Sequence, residues 1–62
     1  MKYFTTEYQA RFLAGQTTMA DDIQAMAELV QNREHWRVRG YYRRLAQTMI
    51  DCQYIDDEGN IL

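Results

Sequence analysis

The chain has 62 residues, 47% of them hydrophobic and 26% charged, which is enough for one small folded domain, residues 1–62, and too few to bury a large core. Net charge is −2, and no apolar run reaches the length of a signal peptide or a membrane span; the expectation is a cytoplasmic protein with no membrane partner. Cys52 is the only cysteine, so an internal disulfide is excluded, and a chain this short is expected to gain stability by forming a homo-oligomer.

The predicted first helix covers about residues 6–14. Thr6 and Gln9 have capping-box spacing, with Thr5 as the alternative start. Phe4, Tyr8 and Phe12 recur every fourth residue and stack three rings on one face. Gly15 then supplies a left-handed stop. A second helix is predicted over 18–31. Asp21 and Asp22 fall in its first turn, where the helix dipole favours negative charge, and Met19, Ile23, Met26 and Val30 make a narrow apolar stripe. Asn32 is the expected break.

The third helix is predicted over 33–53. Val38, Tyr42, Leu45, Met49 and Cys52 are spaced 4, 3, 4, 3 and match the stripe on the second helix. Gly40 is its weak point, since a mid-helix glycine costs about 1 kcal/mol relative to alanine. The tail, 54–62, places two apolar pairs around an acidic turn containing Gly59; it reads as a short β-hairpin, an extended strand or a frayed end. The predicted fold class is therefore all-α. A short N-terminal helix lies across an antiparallel helical hairpin, the tail follows, and a homodimeric bundle is the expected assembly.

Charge is unevenly distributed. Residues 33–44 hold five arginines against Glu34 alone, a local charge of +4, and the remainder carries −6. On a helix running from 33 to 53, Arg33, Trp36, Arg37, Arg39, Arg43, Arg44 and Gln47 lie opposite the apolar stripe, with Asp51 the only acid among them. A charged outer face is the default for an amphipathic helix, so these residues require a reason beyond solvation. Two are available. Like charges at helical spacing repel and destabilise the helix. The cation is also specific: six arginines stand against one lysine, and arginine forks to carboxylates and phosphates and stacks on flat rings. Arginine, tryptophan and tyrosine also dominate binding hot spots.

These residues predict a small non-enzymatic interaction protein, an inhibitor or adaptor that occupies a partner protein's surface with this Arg/Trp face, of the kind carried by phages and mobile elements. In a variant of that reading, Asp21, Asp22, Glu28 and the tail mimic phosphates and the arginines are bystanders. The alternative is a dimeric nucleic-acid-binding regulator in which the arginines meet phosphates and an aromatic ring stacks on a base. A pI near 5.1 runs against it. A helix-turn-helix register on the first two helices turns Asp21, Asp22 and Glu28 toward phosphates and is discarded; a winged-helix register, with the tail as a clipped wing, fits better. The third reading is a structural assembly protein whose charged face is inert. The length, the expected hairpin and the acidic, glycine-containing tail together resemble the Rop family of plasmid RNA-binding helical hairpins, which would imply RNA binding by a dimer.

Catalysis, metal binding and a cofactor are not expected. There is no serine, and His35 and Cys52 lie 17 residues apart, about 25 Å along one helix. The Asp56–Gly59 run fails as a calcium loop, because the closing glutamate would fall beyond Leu62.

Overall fold

The computed structural model describes residues 1–62 and is all-α: α1 (Thr6–Leu13), α2 (Met19–Gln31) and α3 (Gly40–Asp51), with no sheet. Its principal extents are 26 × 21 × 20 Å.

Helix starts follow side-chain chemistry. Thr5, rather than Thr6, caps α1: its hydroxyl accepts from the Tyr8 N–H at 3.0 Å. Thr18 and Asp21 form a reciprocal capping box at the start of α2. Helix α3 has no such device, because its N-cap is Arg39, which makes no side-chain cap.

All three helices end in the same way. In each, a residue at positive φ reverses the chain while two N–H groups return to the last turn, the Schellman closure. Gly15 (φ 71) donates to Phe12 O and Gln16 to Arg11 O; Arg33 (φ 56) donates to Val30 O and Glu34 to Leu29 O; Gln53 (φ 64) donates to Ile50 O and Tyr54 to Met49 O. Only the first of these uses glycine.

This closure corrects the predicted third helix. The chain turns at Arg33, residues 32–39 form a connecting turn, and α3 starts at Gly40 instead of 33. Gly40 is therefore the first residue of a helix, where it costs little, and not a mid-helix flaw. Val38 lies in the turn, half-buried against the core. Cys52 is also not a core residue: it is the C-cap of α3 and exposed.

The core comprises eleven residues: Phe4 and Tyr8 from the N-terminal segment, Ala25, Met26, Ala27, Leu29 and Val30 from α2, Tyr42, Ala46 and Met49 from α3, and Ile55 from the tail. The buried positions of α2 span about 200° of its circumference at 100° per residue, so the narrow stripe expected there is too narrow. Met19, at one end of that stripe, is 54% exposed. Helix α2 is wide because it is covered from several sides. Helix α3 packs on it, and the aromatic column Phe4–Tyr8–Phe12 bridges to Tyr42: Phe4 meets Tyr42 edge-on at 5.0 Å and Phe12 lies 5.1 Å from the same ring.

The tail docks on α2. Asp56 accepts from the N–H groups of Glu58 and Asn60, both at 2.9 Å, and from the Asn60 amide at 3.0 Å, which closes the acidic turn. Those Asn60 and Glu58 donors hold the Asp56 carboxyl below its ordinary range. Gly59 (φ 86) lies against α2, and the Gln31 amide donates to its carbonyl at 2.7 Å. Strand pairing amounts to one isolated antiparallel bridge, Ile55 to Ile61.

Candidate interaction surface

The seven residues expected on one helix face divide between two elements. Arg33, Trp36, Arg37 and Arg39 belong to the turn between α2 and α3, whereas Arg43, Arg44 and Gln47 lie on α3. Gln47 is occupied within its own helix, donating to Asp51 at 3.0 Å. The remainder forms a basic turn that continues into the first turns of α3.

The cations there have little internal compensation. Arg33, Arg37, Arg39, Arg43 and Arg44 are all exposed. Their only ion pair is Arg37 with Glu34, at 3.9 Å, the outer limit of such a contact and worth little at an exposed site. Trp36 stands among them 50% exposed, with the His35 ring edge-on at 4.7 Å. His35 itself is half-buried, and its Nδ1 is shielded from solvent without a hydrogen-bond partner.

The start of α3 sharpens this imbalance. Helices α1 and α2 carry acids in their first turns, Glu7 and the pair Asp21 and Asp22, and each has a threonine cap. Helix α3 has neither. The Arg44 guanidinium instead folds back over Gly40, so close that a Cβ there would sit 3.1 Å from its nitrogen. Cations gather at the positive end of a helix dipole, where an anion is favoured. An anion from outside would complement the helix end and the guanidinium groups together.

The acids expected as a phosphate mimic are differently employed. Asp21 pairs with Arg11 at 3.2 Å, Asp22 accepts from the Tyr8 hydroxyl at 2.8 Å, and Glu28 accepts from the N–H groups of Lys2, Tyr3 and Phe4 at 2.7, 2.8 and 2.7 Å. Burial works to raise the Glu28 pKa, but these three donors outweigh it and hold the carboxyl below its ordinary range. The backbone N–H of Thr18, with Arg11, lowers Asp21 similarly. Burial and the Asp22 carboxylate push the Tyr8 phenol well above its usual range. Reading each acid separately misses this row. The available signal is the seven-residue spacing of Asp21 and Glu28, which places them two turns apart on one face of α2.

Elsewhere, a shallow polar hollow of about 250 Å³ lies between the N-terminal segment and α2, lined by residues that include Lys2, Glu7, Arg11 and Asp21. No helix is long and apolar enough to cross a membrane, and no three His, Cys, Asp or Glu side chains converge. No family model, curated protein or solved structure matches this chain.

Proposed function

We propose that this chain is a non-enzymatic interaction protein, an inhibitor or adaptor that seats the basic turn on an acidic surface of a partner protein. Arg33, Trp36, Arg37, Arg39, Arg43 and Arg44 make the contact. The observation that carries the reading is the concentration of exposed guanidinium groups around a half-exposed Trp36 with almost no internal counter-charge. A tryptophan anchor ringed by arginines is the composition of an interface hot spot. In this reading α2 and α3 run as an antiparallel hairpin and two copies pair as a homodimer, which sedimentation equilibrium tests.

A second reading has its own support. The uncapped start of α3, with Arg44 folded over it, suits a phosphate as well as a carboxylate, and Trp36 offers a stacking face for a base. One titration separates the two. Labelled duplex DNA, single-stranded DNA and structured RNA are titrated with wild type and Arg37→Glu at low and moderate salt, reading fluorescence anisotropy. No binding at low salt supports the protein partner. Tight binding that falls steeply with salt and is lost in Arg37→Glu overturns it in favour of nucleic acid, because released counterions set that slope.

A further inference from the structure

Two segments of opposite charge meet at the C-terminal end of α2. The basic turn begins there, with Arg33 two residues beyond Gln31, the last residue of the helix. The acidic tail turn is docked beside it. The Gln31 amide donates to the Gly59 carbonyl at 2.7 Å, and a Cβ at Gly59 would lie 2.6 Å from the Gln31 backbone nitrogen. That turn presents Asp57 and Glu58, consecutive and both exposed. Asp56 closes the turn, whereas the carboxylates of Asp57 and Glu58 take no hydrogen bond and no ion pair. The other acids differ. Asp21, Asp22, Glu28, Glu34 and Asp51 each have a partner, and Glu7 stands alone on α1. The exposed arginines of the basic turn therefore border the chain's one adjacent pair of free acids, and no ion pair joins the two segments.

Such an arrangement complements itself. A two-fold interface brings the same patch of both copies together, so that residue i of one faces residue j of the other and j faces i. A patch that is basic on one side and acidic on the other meets this condition. With the axis passing between the two sides, each basic turn faces an acidic one. The same segments also offer apolar area. Trp36 on the basic turn and Tyr54, Ile61 and Leu62 on the tail are exposed, half of the chain's eight exposed large hydrophobic side chains. Covering them matters to a chain of 62 residues, whose own core is small. Charge then sets the register of the pair, and the apolar side chains supply the area to be buried.

We infer, on the two-copy reading given above and independently of any foreign partner, that two copies pair through this end of the molecule. Arg33 and Arg37 of one copy face Asp57 and Glu58 of the other, and the reciprocal contact repeats across the axis. Pairing in this way covers the basic turn of the free chain, so an acidic partner binds it by displacing the second copy.

Sedimentation equilibrium of the full chain and its charge reversals tests the pairing, with circular dichroism to verify that each variant is folded. Wild type is expected to dimerise, with a dissociation constant about tenfold weaker in about 0.5 M than in about 0.05 M salt. Arg33→Glu/Arg37→Glu and Asp57→Lys/Glu58→Lys should each weaken self-association by about tenfold or more, because like charges then face each other. An equimolar mixture of the two should pair as tightly as wild type, since reversal on both sides restores both contacts. Net charge alone would also draw that mixture together, and Glu7→Lys/Gln16→Lys/Gln24→Lys controls for it by adding the same four positive charges elsewhere. Mixed with Arg33→Glu/Arg37→Glu, this control should pair about tenfold more weakly, because one of the two contacts still sets like charges together. A monomer under every condition overturns the inference together with the two-copy reading. A dimer that survives both reversals, or equal pairing with the control, overturns the inference alone.

Discussion

Gly59→Ala tests the seat of the tail on α2. Gly59 sits at φ 86, and a Cβ built there would lie 2.6 Å from the Ala27 carbonyl oxygen, the Gln31 backbone nitrogen and the Gln31 Cγ. Two of those atoms are helix backbone and cannot step aside. The left-handed conformation costs a non-glycine residue about 1–2 kcal/mol, and forcing atoms into a filled space adds about 1–3 kcal/mol. The expected loss is therefore about 2–5 kcal/mol, a large part of the roughly 3–9 kcal/mol available to a domain this small. Gly15→Ala is the internal control. Gly15 has a similar φ of 71 but nothing within 4 Å, so it should lose the conformational part alone. The unfolded-state entropy change of Gly→Ala is common to both and cancels in the comparison. Urea denaturation of the three proteins measures it, with the steric part read as the difference between the two variants at unchanged slope. Equal losses at the two positions would mean that the tail turn does not rest on Ala27 and Gln31.

Four further outcomes follow from the same geometry. Gln53→Gly should stabilise the chain by up to about 1 kcal/mol in urea denaturation, since it relieves a left-handed residue at the end of α3. Arg33→Gly should stabilise it similarly while weakening binding through the basic turn, a combination read by pairing denaturation with the anisotropy titration. Cys52→Ser should change stability by less than about 0.5 kcal/mol, because the thiol is exposed rather than part of the core. Folding depresses the Glu28 pKa, so its contribution is complete above the ordinary glutamate range and is lost as pH falls through the folded value. Wild type should consequently lose stability on acidification more steeply than Glu28→Gln, in denaturant midpoints collected from pH 6 downward.

The residues that made the fold legible were those whose local chemistry admits one outcome. Asp21 and Asp22 in the first turn of α2, Gly15 and the four-residue spacing of Phe4, Tyr8 and Phe12 act within a turn or two, and each feature appears as expected, whereas the box expected of Thr6 and Gln9 gives way to a cap by Thr5. The error over α3 has an equally local origin. Val38, Tyr42, Leu45 and Met49 keep a helical spacing, and all four pack on or within the core although Val38 lies in the turn, so periodicity alone could not detect a helix that starts at residue 40. The stop at Arg33 was invisible because the residue entering the left-handed region is arginine, for which sequence carries no such signal. Cys52 continued the spacing arithmetically while the helix ended beneath it. The candidate residues were legible as types, arginine and tryptophan crowded into twelve positions, but their setting in a turn was not. The acid row of α2 was not legible as an attachment, because its partners are backbone N–H groups and a hydroxyl supplied by a distant segment.

Four features of this chain run against its own stability: the left-handed Gln53 at the end of α3, and three at the basic turn or the start of α3. Arg33 occupies a conformation that glycine would adopt at less cost. The first turn of α3 has cations where every electrostatic preference asks for an anion, and Arg44 folds toward that end rather than away from it. The third of these, the unpaired Tyr42 hydroxyl, is buried on the third residue of the same helix. The first two meet at the exposed basic turn, while the caps of α1 and α2 obey the same rules, and local rules broken at one surface are a pattern found where a surface receives a ligand. An anion bound at the start of α3 would convert the misplaced cations into favourable contacts, so the same charges that weaken the free chain would stabilise the bound one. Under the proposed function, Arg33, Arg37, Arg39, Arg43 and Arg44 are the cations that such an anion would satisfy.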